Sequence, residues 1–354
     1  GRFEDAHTVS MLGVDGRTRI QLEGDVIVIA VGTTPNHPPD VPFDGELVFD
    51  SDTILSMPAM PRSMVVLGAG VIAVEYAAIF AALGIQVTMV DTRDALLPYL
   101  DREIAAILER ELRKLGIVVI HDDHHATIER PQGRDTPHVR CTTRLGNVLE
   151  SDVLLYAVGR DGSTRGLGLE RIGVEPSSRG LIAVNADYQI EGHPHIYAVG
   201  DVVGYPALAS TSMEQGRQAI RHAFGIGGPR VRSGLLPFAI YAIPEVSYIG
   251  ETEESARSAG MDVVIGRGRY DMNPRGQILG DTGGLLKLVV ERPGGRVLGV
   301  HIIGSSASEL IHLGQNILYG GQTVDQIAEQ LFNYPTLSDL YRHAALEACR
   351  ELAG

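Results

Sequence analysis

Short, unbroken apolar runs alternate along the chain with longer stretches in which apolar residues recur every three or four positions. This is the pattern of buried parallel strands separated by helices. Three of the runs end alike: Ile27 to Gly32 (IVIAVG), Leu154 to Gly159 (LLYAVG) and Ile196 to Gly200 (IYAVG). Each is continuous rather than alternating, as in strands covered on both faces, and each stops at a glycine where the chain turns closely past something. One such run is common in any α/β protein; three similar ones predict two related sheets.

A further run, Met64 to Leu67, predicts a strand followed by Gly68-Ala69-Gly70-Val71-Ile72-Ala73, a helix from Val74 to Leu83, a closing Gly84 and a second strand from Gln86 to Val90. Gly68 permits a tight turn, Gly70 lets the backbone approach a pyrophosphate, and Ala73 takes the small position where helix packs on strand. The helix amino terminus receives the phosphates, with Val71 and Ile72 leading it. Asp91, about twenty residues on, is placed to accept hydrogen bonds from a ribose. A bare tight turn is the alternative, but strand, glycines, helix, strand and terminal acid in that order favour a dinucleotide site. Asp101 to Leu115 predicts a second helix, and residues 130–137 a polar turn before a strand around Val139. The segments up to about Thr34 and from about Gly166 to Phe224 read as parts of another nucleotide-binding domain that the first interrupts. Residues 225–234, rich in Gly, Pro and Arg, predict a linker. Beyond it, strand-like runs (Leu285 to Glu291, Val297 to Ile303) precede helical stretches (Ala307 to Tyr319, Thr323 to Leu331), the order of an α+β domain.

Length and charge narrow the function classes. At 354 residues the chain has room for two or three domains. Its 30 Lys and Arg against 44 Asp and Glu leave a formal charge of −14, which argues against nucleic acid and anionic membrane as partners. The longest apolar candidate for a bilayer span, Met64 to Leu83, is interrupted by Glu75. Cys141 and Cys349 match neither a zinc nor a redox spacing, so a reducing, cytoplasmic setting is expected. The chain opens at Gly1 as if in the middle of a domain, and an amino-terminally truncated fragment is expected.

Together these residues resemble the flavoprotein disulfide reductase family, the pyridine nucleotide-disulfide oxidoreductases that include dihydrolipoamide dehydrogenase and glutathione reductase. The resemblance implies an α/β fold: a Rossmann-like NAD(P)-binding domain (62–165) inserted in a partial FAD-binding domain (1–61 and the return segment with linker, 166–233), then an α+β dimerisation domain (234–354). It implies FAD, NAD(H) and NADP(H) as cofactors and a homodimer as the assembly. His195 to Asp201 resembles the family's second flavin motif, in which Asp201 would bind a ribityl hydroxyl beside Gly200. Leu208 and Ala209 would open a helix facing the pyrimidine side of the flavin. Gly32 and Thr33 fall in the cofactor-binding set by the same resemblance. Asp201 alone would read equally as a turn or cap residue.

Where disulfide-reducing members carry a His before Pro335, this chain has Tyr334; the acid that orients the His corresponds to Asp339. Tyrosine, with an ordinary pKa near 10, is a poor base at neutral pH, so dithiol chemistry lacks its proton carrier, while hydride transfer needs none. No side chain is therefore expected to be catalytic. A plain interface or core aromatic remains the alternative for Tyr334. The expected activity is hydride exchange between NADPH and NAD+ through FAD, with nicotinamide dinucleotides as the partners. Disulfide or metal-ion reduction is the runner-up, and a non-catalytic nucleotide-binding sensor stands third.

Asp91 favours NAD(H), since a carboxylate repels a 2′-phosphate, and Arg93 supplies a cation for that phosphate unless it is merely a surface residue. Glu75 would sit near the nicotinamide or simply be an acid near a helix start. Gly159 and Arg160 would approach the nicotinamide end, although family members often differ at Val158. The cluster His121, Asp122, Asp123, His124 and His125 reads as a polar loop, and no metal site is expected. Ser305 and Ser306 lack a nucleophile-elbow arrangement.

Overall fold

Helices and short strands alternate through the residues that the computed structural model describes, which are 1–15, 17, 19–131, 138–229 and 234–354. Of the turn expected at 130–137 and the linker expected at 225–234, residues 132–137 and 230–233 lie outside the described residues. The helices are α1 (Val71–Ala82), α2 (Arg102–Lys114), α3 (Ala209–Ala223), α4 (Glu253–Ser258), α5 (Pro274–Leu279), α6 (Ala307–Gly320), α7 (Val324–Ala328) and α8 (Leu340–Ala353). Two units emerge: Gly1–His37 with Gly159–Val231, and Pro38–Val158 with Arg232–Gly354.

In the first unit, two of the alike runs pair with each other. Ile27–Ile29 lies parallel to His193–Ala198, with Ile196 opposite Ile27, and Gln189–Ile190 completes the sheet. Phe3, Ile29, Ile182, Ile196, Ala198 and Val202 form its core. The helix α3 packs through Ala219 against Tyr197 and Val199.

The third run belongs to the second unit, where five parallel strands are ordered Val48–Phe49, Val153–Tyr156, Ser63–Leu67, Gln86–Val90, Val118–Ile120. Alternation along the first motif strand, Ser63–Leu67, divides its side chains between the two faces. Met64 and Val66 pack with α1 and α2, while Val65 and Leu67 face an antiparallel sheet that includes Val139 and Cys141. Apart from Glu75 and the Tyr76 hydroxyl the helix α1 is apolar, and it buries Ala73, Val74, Ala77, Ala78 and Ala81, so small residues let it lie close to the strands. The expected helix at 101–115 forms as α2, with Asp101 as its cap and Ile104, Leu108 and Leu112 buried at four-residue spacing. The stretch 323–331 yields only α7: Leu331 is 95 % exposed, so no apolar burial supports another turn. A five-stranded antiparallel sheet, containing Val263–Arg269, Leu285–Glu291 and Val297–Ile303, carries α6 and α8.

Lys287 ties the layers of the second unit together. Its side chain is 1 % exposed, and Nζ lies 2.9 Å from both Asp101 oxygens, 2.8 Å from Glu253 and 3.2 Å from Glu103. Asp101 Oδ1 also accepts the N–H groups of Glu103 and Ile104, so one buried carboxylate caps α2 and binds the ammonium. Burial alone would push the carboxyls of Asp101, Glu103 and Glu253 up, but the ion pairs and hydrogen bonds outweigh it and hold all three low. Burial opposes the Lys287 charge, yet hydrogen bonds to Glu253 and Asp101 raise its pKa. Burial keeps the neighbouring His301 below the ordinary imidazole range, and its Nε2 lies 2.8 Å from the Glu251 carbonyl.

Replacing Lys287 with Met strands Asp101 and is expected to cost about 3–5 kcal/mol. The wild-type carboxylates are depressed, so their contribution is present above the ordinary carboxylate pKa near 4 and lost as pH falls through their lower folded values. The Lys287 contribution is present below about pH 10.4 and lost as pH rises through its raised value. Melting temperatures from pH 3 to 11 should therefore fall at both ends for the wild type and fall less on acidification for Lys287→Met; parallel profiles would refute the assignment.

Candidate functional site

The dinucleotide motif places bare backbone at a helix start. Gly68 donates its N–H to the Val90 carbonyl at 2.8 Å with φ of +104°, and a Cβ there would lie 2.8 Å from the Ala157 oxygen. Only glycine meets both demands. Gly70 caps α1 in an extended conformation, and a Cβ on it would meet nothing within 4 Å, so its surface is open. No side chain caps α1 and its first turn carries no acid. The N–H groups around Val71 and Ile72, with the positive end of the helix dipole, thus have no anion from the helix itself, which fits a pyrophosphate.

At the end of the next strand, Asp91 is 7 % exposed and paired with Arg93. Both Nε and Nη2 of Arg93 donate to Oδ2, at 2.8 and 2.6 Å, while Oδ1 has the Thr92 hydroxyl at 3.4 Å. A carboxylate acceptor and a partly exposed guanidinium therefore stand side by side at the end of that strand. In the second turn of α1, Glu75 accepts the Tyr241 N–H at 2.7 Å; burial pushes its carboxyl up and that hydrogen bond partly offsets it. Glu75 is thus also a tie between α1 and the connection between Phe238–Ile240 and Val246–Gly250, the first two strands of the C-terminal antiparallel sheet.

The first unit holds the other expected residues. The strand Thr33–Pro35 pairs with Arg160–Gly162, and Arg160 donates to the Thr33 hydroxyl at 2.9 Å and to its carbonyl at 2.8 Å. Gly32 and Gly159 flank this ribbon, with the Gly159 carbonyl accepting from Asn36. After Val199 the chain leaves the sheet at Gly200, whose φ is +80°, and turns through Asp201, whose carbonyl accepts the Gly204 N–H at 3.0 Å. Leu208 caps α3 with backbone only, and Ala209 begins it; no acid lies in its first turn, which fits an electron-rich ring edge.

Tyr334 is 75 % exposed, not a core aromatic. Asp339 lies 3.3 Å from His343 Nε2. In the histidine-rich loop, Asp123 is buried and accepts from His124, Leu145 and Asn147, organising the turn, while His121 pairs with Glu109. Among the described residues no group of three His, Cys, Asp or Glu is arranged to hold a metal ion, and no helix is long and apolar enough to cross a membrane. Sequence reasoning missed Gln215, which is buried and accepts the Gly200 N–H; its only signal was a polar residue on the inward side of a predicted helix.

Comparison with known proteins agrees with this geometry. Residues 1–216 match the model of the pyridine nucleotide-disulphide oxidoreductase family, and residues 236–345 match that family's dimerisation domain. Relatives named soluble pyridine nucleotide transhydrogenase include those of Mycobacterium bovis (strain BCG / Pasteur 1173P2), 42% identical over 352 residues, and Shigella flexneri, 39% identical over 354 residues. Each alignment covers 99% of this chain, and 74% and 75% of those relatives. The crystal structure of LpdA from Mycobacterium tuberculosis superposes with a TM-score of 0.87 at 28% identity, covering 96% of this chain and 73% of that one. The Cu(II) complex of the HOCl-induced flavoprotein disulfide reductase RclA from Escherichia coli gives 0.89 at 27%, covering 98% and 77%.

The two motif glycines should separate by measurement. Gly68→Ala meets a left-handed backbone and a carbonyl, and is expected to lower stability by about 1–3 kcal/mol. Gly70→Ala should leave the melting temperature unchanged yet weaken dinucleotide binding about tenfold by calorimetric titration, because its methyl group occupies the open approach. Unimpaired binding in Gly70→Ala would count against the pyrophosphate assignment.

Proposed function

The chain belongs to the pyridine nucleotide-disulphide oxidoreductase family, and from that premise we propose that it exchanges hydride between NADPH and NAD+ with FAD as its resident cofactor. The observation that carries this reading is the Asp91–Arg93 pair, which sets an acceptor for a ribose 2′-hydroxyl beside a donor for a 2′-phosphate. The names of the relatives support it. When bound, FAD supplies a two-electron acceptor and donor for the nicotinamide nucleotides.

The chain's own contribution is binding and orientation. Backbone from Gly68 to Ile72 would hold the pyrophosphate of either nucleotide, Asp91 would accept from the ribose of NAD(H), and Arg93 would turn to the 2′-phosphate of NADP(H). Glu75, Gly159 and Arg160 are assigned to the nicotinamide end. Gly32, Thr33, Gly200 and Asp201 would hold the flavin, with the positive end of α3 at Leu208 and Ala209 favouring its electron-rich form. Tyr334, exposed and phenolic where the thiol-reducing members carry an imidazole, argues against a thiol-reducing role. The match to a dimerisation domain supports a homodimer, and two free cysteines, both pushed up to about 11 by burial, support a cytoplasmic, reducing setting.

The test is stopped-flow reduction of the flavin by NADPH followed by mixing with an NAD+ analogue, lipoamide, glutathione disulfide or mercuric ion. Rapid reoxidation by the nucleotide alone is expected; reoxidation only by a disulfide or metal ion would overturn the reading. In the same assay Arg93→Ala should raise the KM for NADPH about tenfold while leaving that for NAD+ within about twofold, as expected for one lost charge-assisted contact.

A further inference from the structure

The segment that presents Asp201 hangs from one side chain. Val199 makes the last sheet hydrogen bond, to Ile29 at 3.0 Å, and the next peptide N–H, that of Gly200, donates to Gln215 Oε1 at 2.7 Å. Gln215 lies on α3, fifteen positions along the chain, and is 5 % exposed. The same helix meets Gly200 directly: a Cβ there would lie 3.5 Å from Ser212. Burying an amide at this point is costly unless its acceptor is used, and a leucine would fill the volume without that cost. What a leucine could not do is fix the plane of the 199–200 peptide and join the Asp201 turn to α3.

The start of α3 is closed in the same way. Thr211 and Ser212 donate their hydroxyls to the Leu208 carbonyl at 2.8 and 2.9 Å, so local polar side chains engage carbonyl oxygen and leave the helix start without an anionic cap. Asp201 and the α3 amino terminus, the two groups assigned to the flavin, are thus parts of one hydrogen-bonded unit whose link is Gln215.

We infer that Gln215 is a positioning residue of the flavin site, holding the Gly200–Asp201 turn at a set distance from the amino terminus of α3; the inference rests on the flavin reading above. It predicts that the oxygen acceptor matters and that side-chain volume alone does not. Glu at this position keeps an oxygen acceptor, whereas Leu keeps only volume.

FAD titration, the visible flavin spectrum and amide hydrogen exchange at Gly200 together test it in the wild type, Gln215→Leu and Gln215→Glu. Gln215→Leu is expected to bind FAD about tenfold more weakly, with a shifted flavin band and faster Gly200 exchange, as for a buried N–H left unpaired. Gln215→Glu should restore the slow exchange and bind within about threefold of wild type, but with a lowered flavin potential because its charge disfavours the electron-rich ring. Leu binding FAD like the wild type, or Leu and Glu failing alike, would overturn the inference. A full-length wild-type protein that takes up no FAD would overturn the flavin reading and the inference with it, whereas FAD uptake that is alike in the wild type and Gln215→Leu overturns the inference alone.

Discussion

A lysine cannot be left alone in a protein interior, and Lys287 imposes that constraint on the whole second unit. Its ammonium stays charged because Asp101, Glu103 and Glu253 converge on it from α2 and α4. Those carboxylates, in turn, are acceptable only while the ammonium is present. The parallel layer that carries the dinucleotide motif and the antiparallel C-terminal sheet are therefore joined by a contact that weakens sharply if either moves. The Tyr241 N–H on Glu75 adds a second join between α1 and the antiparallel sheet's first connection. A hydrophobic seam could slide by an ångström at small cost, but a buried charge with three partners cannot.

Such rigidity suits chemistry that asks little of side chains. Hydride transfer is governed by the alignment of donor and acceptor, so a protein performing it contributes backbone, dipoles and shape more than acids and bases. Both helices assigned to cofactors, α1 and α3, begin without an acidic first turn and without a side-chain cap. Most helices gain stability from such a cap, worth about 1 kcal/mol; leaving it out at these two starts keeps N–H groups available to a ligand. By contrast α2, α4 and α5 are capped by Asp101, Thr252 and Asn273.

Much of this was legible in the chain because it rests on local rules. The strand–glycine–helix motif, the helix beginning near Asp101 and the acid at Asp91 each follow from neighbours within a few residues. What escaped was non-local. Gly266 and Gly268 sit in a strand where a Cβ would collide with carbonyls of Ala344 and Leu340 on α8, a requirement no pattern within the strand reveals. Lys287 lies in the apolar run LLKLVV, where a single cation looks like a solvent-facing residue until its partners, more than thirty positions away at the nearest, are brought beside it. Gln215 was silent for the same reason: an amide on a helix declares nothing until its acceptor is seen against Gly200.

On the reading proposed above, the Asp91–Arg93 pair would let one pocket serve two nucleotides. A carboxylate alone would repel a 2′-phosphate, and a cation alone would leave a 2′-hydroxyl with little to hold it. Paired, each residue masks the other. Arg93 is partly exposed and Asp91 is buried, so turning the guanidinium to a phosphate would leave that carboxylate in need of another donor, and the Thr92 hydroxyl stands beside its Oδ1. Asp91, more deeply set, can keep accepting from a ribose hydroxyl through Oδ1 while Oδ2 stays on the arginine. On the proposed reading the pair keeps both options open: without the arginine the pocket would favour NAD(H), and without the aspartate it would favour NADP(H).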